Sequence, residues 1–175
     1  MRKLNFGCGG NRLEGWENFD VEMDISKPLP FPDGCASFIL SEHVVEHVTH
    51  QQAWNFFEEC HRILRPAGVL RVCVPSVERI WKHYTQEYGD AVKAGGHGDG
   101  GRNSSIRAAV FCHGHQAAWT RDLLETFLLA TGFMTNHASY GNSLHHDLRK
   151  IDGHGKVVSD RVATVETTIV EGQKL

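Results

Sequence analysis

The chain of 175 residues is 41% hydrophobic and 22% charged, which predicts one globular domain over residues 1–175 that can bury its own core. Its 18 Lys and Arg against 21 Asp and Glu leave a net charge of −3, which argues against a strongly cationic nucleic-acid-binding surface. No apolar run approaches the ~18 residues of a membrane span, and no secretory signal precedes the first strand-like segment, so we expect a cytoplasmic protein without a membrane partner.

The front part of the chain alternates strand and helix patterns. Apolar residues recur at helical spacing from Ala53 to Leu64, and Thr49 with Gln52 three residues later predicts a capping box at the start of that helix. Proline at 28, 30 and 32 predicts an extended loop instead of a helix. The predicted strands of the front part are 3–6, 16–21, 37–40 and 69–74.

The back part begins after a glycine-rich stretch. Five of the seven residues 95–101 are glycine, which predicts a flexible insertion at about 91–105. Helices are expected at 76–88 and 120–131, and strands at 133–140 and 161–170, the latter from its β-branched residues. Together these elements predict an α/β fold: a Rossmann-like, doubly wound, mostly parallel sheet with helices on both faces and an antiparallel strand pair at one edge.

The first strand runs directly into Gly7, Gly9 and Gly10. Glycines at this point let the backbone approach a ligand closely, although a tight strand-exit turn would need them too. Asp20 ends the second predicted strand, where a carboxylate can accept both hydroxyls of a ribose, and Asp24 follows before the proline loop. Only ten residues separate Gly9 from Asp20, too few for a full crossover helix. The spacing therefore favours a compact nucleoside ligand over a dinucleotide.

Four segments resemble the class I S-adenosylmethionine (SAM)-dependent methyltransferases, most closely their compact type-11-like members. They are KLNFGCGGN, NFDVE, DISKPLPFPDGCASFILSEHVVEH and ECHRILRPAGVLRVCVP. The resemblance covers residues 1–80 and continues more weakly through HGHQAAWTRDLLETFLLATGF. It implies a methyltransferase domain that uses SAM as cofactor and releases S-adenosylhomocysteine. In three respects the chain departs from the family: Asn5 replaces an acidic residue, Asn11 takes the third glycine position, and the helices between strands one and three are almost absent.

The resemblance also implies the cofactor-binding residues. By position, the turn from Gly7 to Gly9 would hold the amino-acid end of SAM, Asp20 the ribose, and Asp24 the adenine amino group. The full set comprises Phe6, Gly7, Cys8, Gly9, Asp20, Val21, Asp24, Ile25, Ser41, Glu42 and His43. Ser41, Glu42 and His43 would line the methyl-donor side. If the acceptor must lose a proton, the candidate catalytic bases are His43 and then His115, since imidazole titrates near neutral pH.

Twelve histidines are an unusual excess in a chain of this length. The residues from His43 to His47 spell H-x-x-E-H, which on a helix would be an inverted zinc-peptidase motif with Glu46 as general base. No third ligand stands at a fixed spacing, so no metal is expected. His113 and His115 form a second cluster on a predicted loop, and we expect the remaining scattered histidines to be exposed.

Three functions are compatible with these patterns. The first is methyl transfer from SAM to a small-molecule or sugar-containing acceptor, the second a SAM-binding or S-adenosylhomocysteine-binding module without turnover, and the third a zinc hydrolase. A nucleic-acid partner is disfavoured by charge, although Arg62, Arg65 and Arg71 could form a local basic patch. A homodimer could complete the thin front face. The five cysteines, an odd number without a C-x-x-C pair, are expected to be free thiols.

Overall fold

A computed structural model describes all 175 residues as a six-stranded sheet with helices around it. The strands lie in the order β2-β1-β3-β4-β6-β5. Strands β1 to β4 pair in parallel, whereas β6 is antiparallel to both β4 and β5. Their bounds are β1 Arg2–Phe6, β2 Glu17–Phe19, β3 Ala36–Glu42, β4 Leu64–Pro75, β5 Phe133–Ala138 and β6 Thr167–Lys174. The expected α/β sheet with an antiparallel edge pair is confirmed.

Seven α-helices connect or cover these strands: α1 His50–Ile63, α2 Val77–His83, α3 Gln86–Ala94, α4 Arg102–Phe111, α5 Arg121–Ala130, α6 Gly155–Val158 and α7 Asp160–Glu166. Helix α1 starts where its capping box predicts. The Thr49 hydroxyl accepts the backbone N–H of Gln52, and the Gln52 side-chain oxygen accepts the backbone N–H of Thr49. No helix in the chain combines the length and the hydropathy that crossing a membrane requires.

The main core lies between one face of the sheet and helices α1 and α5. Phe56, Phe57 and Ile63 of α1 pack there with Leu124 and Leu128 of α5. The opposite face, where the chain lacks the front helices, buries Leu40, Cys73 and Ile169 beneath the segment that follows β5. The main core extends to Phe6 and Val74 near the carboxyl ends of β1 and β4. The loops that follow β1 and β3 lie beyond it, at the edge where parallel α/β sheets bind ligands.

A fully buried arginine holds the segment after β5 on the sheet. Arg71 of β4 donates two hydrogen bonds to Asp152, of 2.8 and 2.6 Å, and one of 2.6 Å to Glu171. It also donates to the carbonyls of Ser139 and Asn142. The expected basic patch of Arg62, Arg65 and Arg71 is therefore wrong for Arg71, whose charge is neutralised inside the protein.

Two sequence-based element predictions are wrong. Residues 161–166 form helix α7 instead of a strand, because Ser159 caps the helix and Val162, Ala163 and Val165 are buried on it. Tertiary packing overrides the strand preference of β-branched residues here. Two helices, α2 and α3, replace the single helix expected at 76–88. The backbone leaves the helical conformation at Tyr84, and the Thr85 side chain caps α3 by accepting the Tyr88 N–H.

The glycine-rich stretch connects two helices. Residues 91–94 close α3 and residues 102–105 open α4, which leaves 95–101 as the turn between them. Tyr84 Oη donates to the Gly100 carbonyl at 2.6 Å, and Asp99 accepts the backbone N–H of Gly101. Tyr84 lies between α2 and α3, and the Ser104 hydroxyl of α4 donates to Asp99, so the turn is attached to the chain on both sides of it.

Candidate active site

The chain turns sharply as it leaves β1. Gly7 and Gly9 adopt positive φ angles of 67° and 45°, which glycine reaches without a steric penalty. A Cβ atom on Gly7 would lie 2.2 Å from Val44 Cγ2, so only glycine fits there. The Cys8 N–H donates to the Phe19 carbonyl at 2.9 Å and ties the turn to the end of β2. The turn therefore presents open backbone at the carboxyl edge of the sheet.

A cavity of about 360 Å³ lies above this turn, and we call it the glycine-turn cavity. Its volume is within the range of small-molecule sites. It brings together five of the predicted cofactor-binding residues, Gly7, Cys8, Gly9, Glu42 and His43. Phe6 and Ser41 are fully buried at the ends of β1 and β3, at the base of the same edge.

The remaining predicted cofactor residues lie after β2 and do not line that cavity. Asp20 is half-buried directly after the strand. Val21 is 94% exposed, whereas Ile25 is only 6% exposed and packs in the main core. The exposed Asp24 carboxylate accepts the backbone N–H of Ser26, and hydrogen bonding with the side chain and then the backbone of Ser26 lowers the pKa of Asp24.

Glu42 at the end of β3 anchors the opposite wall of the glycine-turn cavity. Its carboxylate accepts the backbone N–H groups of Gly153, at 2.7 and 3.0 Å, and of His154, at 3.1 Å. Asn11 Nδ2 donates to the Ile151 carbonyl at 2.8 Å and strengthens the same attachment. The sequence thus indicated Glu42 as a site residue but not its partners, which lie more than 100 positions away.

A second cavity, also of about 360 Å³, lies beside the first, and we call it the histidine cavity. It collects six of the twelve histidines, which explains much of their excess. The six are His43, His47, His97, His113, His115 and His154, accompanied by Glu46 and Glu166. Its other walls are mainly apolar and come from α3, α4, α6 and α7. The expectation that the scattered histidines are exposed is wrong for four of them, His61, His97, His145 and His154, which are all partly buried.

His43 and His154 separate the two cavities. Their rings stack with centroids 3.8 Å apart, and both residues line both cavities. Burial disfavours the charged form of His43, but the neighbouring Glu46, Glu166 and Glu42 carboxylates outweigh burial and raise its pKa. The candidate base His43 therefore stands at the junction of the cavities.

A hydrogen-bonded chain supports the stacked pair. His154 Nε2 contacts Glu166 Oε1 at hydrogen-bond distance, and Tyr88 Oη donates to Glu166 Oε2 at 2.7 Å. Burial would raise the pKa of Glu166, yet the hydrogen bond from His154 and the charges nearby hold it below its ordinary value. Sequence analysis missed His154, Glu166 and Tyr88, since nothing in the local pattern connects them.

The H-x-x-E-H segment does not form the helical motif that its spelling suggests. His43 has a φ of 54°, and only Val45–His47 form a single 3-10 turn. His43 and His47 are therefore not one turn apart on an α-helix. The structure instead groups Glu46 and His47 with His115, the other candidate base, from the loop before α5.

Comparison with known protein sequences points to the methyltransferases. A family model described as a methyltransferase domain, of the type-11 group, matches residues 10–72. Over 57 residues the chain is 35% identical to a probable S-adenosylmethionine-dependent methyltransferase from Mycolicibacterium smegmatis. That alignment covers 33% of this chain and 21% of the relative, so the chain spans about a fifth of the curated relative's length.

Solved structures share the fold over the whole chain. A SAM-dependent methyltransferase from Archaeoglobus fulgidus aligns with a TM-score of 0.57 at 14% identity, covering 99% of this chain and 86% of its own. One from Thermotoga maritima, described as a possible histamine N-methyltransferase, also gives 0.57 at 15% identity, covering 99% and 82%. The expected resemblance is confirmed: this chain has the Rossmann-like fold of the class I SAM-dependent methyltransferases and carries their sequence signature over residues 10–72.

Proposed function

We propose that this chain is an enzyme that transfers a methyl group from SAM to a small-molecule or sugar-containing acceptor and releases S-adenosylhomocysteine. The observation that carries the proposal is the junction of two ligand-sized cavities at His43 and His154. One cavity opens on a glycine turn at the carboxyl edge of a parallel sheet, and the other has mainly apolar walls. This arrangement suits a cofactor and an acceptor that meet at one point.

The glycine turn and the end of β2 would hold the cofactor. Gly7, Cys8 and Gly9 line the cavity, and the space beside Gly9 and Gly10 is open, with no atom within 4 Å of where a Cβ would stand. Asp20, fixed beside the turn through the Cys8–Phe19 hydrogen bond, would accept the ribose hydroxyls. We propose that Val21, Asp24 and Ile25 lie beside the adenine of the cofactor. Phe6 and Ser41 are buried and would support the cofactor site from below.

SAM, when bound, supplies an electrophilic methyl carbon on a positively charged sulfur. The acceptor lone pair forms the new bond to that carbon while the carbon–sulfur bond breaks and its electron pair stays on sulfur. The chain's main task is therefore to align three atoms and exclude water. An acceptor hydroxyl or amine must also lose a proton, and His43 is the proposed base because it stands where the cavities meet. His115 is the second candidate.

The turn 95–101 is the proposed cover of the acceptor side. Gly95 and His97 line the histidine cavity directly. Shortening this turn should lower turnover more than it weakens binding of S-adenosylhomocysteine, because the cofactor side lies in the other cavity. Equal losses of turnover and binding would contradict a covering role.

The proposal extends to organisation and location. We propose a single methyltransferase domain over residues 1–175 that can form a homodimer, and light scattering would test its oligomeric state. All five cysteines are unpaired, as a reducing compartment such as the cytoplasm favours.

Calorimetric titration with S-adenosylhomocysteine tests the proposal. The wild-type protein should bind with a dissociation constant near micromolar, about −8 kcal/mol. Asp20→Ala should weaken binding by about 1.5–3 kcal/mol, since it removes a charged hydrogen-bond acceptor. Glu14→Ala, which removes an exposed carboxylate from the loop before β2, is the matched control. No binding to the wild-type protein would refute the proposal, and equal effects of the two substitutions would refute the role of Asp20.

A further inference from the structure

We propose that Glu46, His47 and His115 bind a divalent transition-metal ion on the acceptor side of the histidine cavity. One ligand atom from each residue lies within 4.8 Å of the other two. Ligands that are about 2.0–2.2 Å from one ion stand somewhat closer together than this, at roughly 3.5 Å, so small side-chain rotations would close the site. The two histidines and one carboxylate come from two separate segments of the chain.

The buried carboxylate of Glu46 is the observation that points to a cation. Glu46 is 1% exposed, and neither of its carboxylate oxygens accepts a hydrogen bond. The nearest charged partner is His43, whose Nδ1 lies 3.3 Å from Glu46 Oε1 outside hydrogen-bond geometry. A buried carboxylate without hydrogen bonds is costly, and a bound cation would compensate it.

The backbone holds the ligands in place without using their side chains. The N–H groups of Gln116 and Ala117 donate to the Glu46 carbonyl, at 2.7 and 3.1 Å. Gln116 Nε2 also donates to the His47 carbonyl at 2.8 Å. The 3-10 turn that carries Glu46 and His47 is therefore attached to the loop that carries His115. Ligands on attached segments are pre-positioned for an ion.

The His115 ring is oriented as metal-binding histidines are. Its Nδ1 lies 2.8 Å from the Ala109 carbonyl. A carbonyl only accepts hydrogen bonds, so Nδ1 carries the proton and the neutral ring keeps a lone pair on Nε2. Metal-ligating histidines characteristically donate their other N–H to a carbonyl or carboxylate in this way.

A neighbouring group of potential ligands makes a useful contrast. His43, His154 and Glu166 are equally close together, but Glu166 already accepts hydrogen bonds from Tyr88 and His154. An ion at that position would have to displace these bonds. The absence of hydrogen bonds to the Glu46 carboxylate therefore distinguishes the proposed site from this satisfied network.

Two imidazoles and a carboxylate suit Zn²⁺, Co²⁺ or Fe²⁺, and three protein ligands leave a position open to the cavity. The next step rests on the proposed methyl transfer: the open position would take an oxygen of the acceptor, and the ion would lower the pKa of a coordinated hydroxyl. The inference therefore names the acceptor class as a hydroxyl compound whose oxygen both coordinates the ion and accepts the methyl group. His115 would then hold the ion instead of a proton.

Titration of the chelator-treated protein with Co²⁺, followed by Zn²⁺ competition, tests the site. We expect one equivalent of Co²⁺ to produce visible absorption bands that Zn²⁺ abolishes. Glu46→Gln, His47→Gln and His115→Gln should each weaken Co²⁺ binding by about 100-fold or more, because each removes a direct ligand. His83→Gln and His146→Gln, which change exposed histidines outside both cavities, should leave it unchanged.

Two outcomes would overturn the inference: no stoichiometric Co²⁺ binding by the wild-type protein, or binding that survives all three ligand substitutions. Circular dichroism checks that each variant is folded, and Glu46→Gln preserves the size of the side chain. Calorimetry with S-adenosylhomocysteine on the metal-free protein keeps the two proposals separate. Cofactor binding without metal binding would refute only the proposed metal site. Metal binding without cofactor binding would refute only the proposed methyl transfer.

Discussion

Replacing Arg71 by methionine should destabilise the protein more than any substitution of an exposed arginine. Arg71 is 0% exposed and carries three hydrogen bonds to carboxylates, two to Asp152 and one to Glu171. Methionine fills a similar volume but leaves both carboxylates buried without their cation. Breaking a buried ion pair by removing one partner costs about 3–5 kcal/mol.

That free energy corresponds to a large change in melting temperature. For a chain of 150–250 residues, each kcal/mol lowers Tm by about 2–4 °C, so Arg71→Met should lower it by roughly 6–20 °C. Thermal and urea unfolding followed by circular dichroism measure the loss. Because Asp152 precedes the residues that bond Glu42, binding of S-adenosylhomocysteine should weaken as well.

Arg62→Met is the matched control. Arg62 also contacts two carboxylates, Glu59 at 2.8 Å and Asp33 at 2.6 Å, but its side chain is 32% exposed. Solvent-exposed ion pairs contribute about 0–1 kcal/mol each and are screened by salt. We therefore expect a loss below about 2 kcal/mol that shrinks in high salt. Equal losses in the two variants, or a loss below about 1 kcal/mol for Arg71→Met, would refute the argument from burial.

Two further substitutions test local geometry. Gly7→Ala combines a positive φ with a 2.2 Å approach to Val44 Cγ2 and should abolish binding of S-adenosylhomocysteine. Gly15→Ala, with a φ of 74° in open space, should cost only about 1–2 kcal/mol of stability and keep binding. Retained binding in Gly7→Ala would contradict the proposed cofactor turn. Thr49→Ala removes the capping box of α1 and should lower the free energy of unfolding by about 1 kcal/mol. Thr126→Ala within α5 is its control, and a similar loss there would mean that the cap is not the cause.

The sequence was informative wherever one short segment carries its own signal. Glycines after β1 indicate a backbone that must turn at positive φ, and the structure has Gly7 and Gly9 there. The Thr49 capping box and the apolar face of α1 are likewise local, and both are confirmed. Helix α7 could not be predicted from its own segment. Its β-branched residues favour a strand, but Val162 and Val165 are buried against α2 and α3 when the segment is helical.

The candidate site depended mostly on contacts that the sequence does not reveal. From sequence, Gly7 and Glu42 were candidate cofactor residues, and Glu46 and His47 belonged to a suspected but incomplete metal motif. Only the tertiary structure supplied His115 as the third member, because backbone hydrogen bonds join residue 46 to residues 116 and 117. Contacts between segments so far apart leave no periodicity or spacing in the chain. The glycine turn and the first helix were therefore determined locally, whereas the two cavities and the neighbours of Glu46 were decided by how the sheet brings distant loops to one edge.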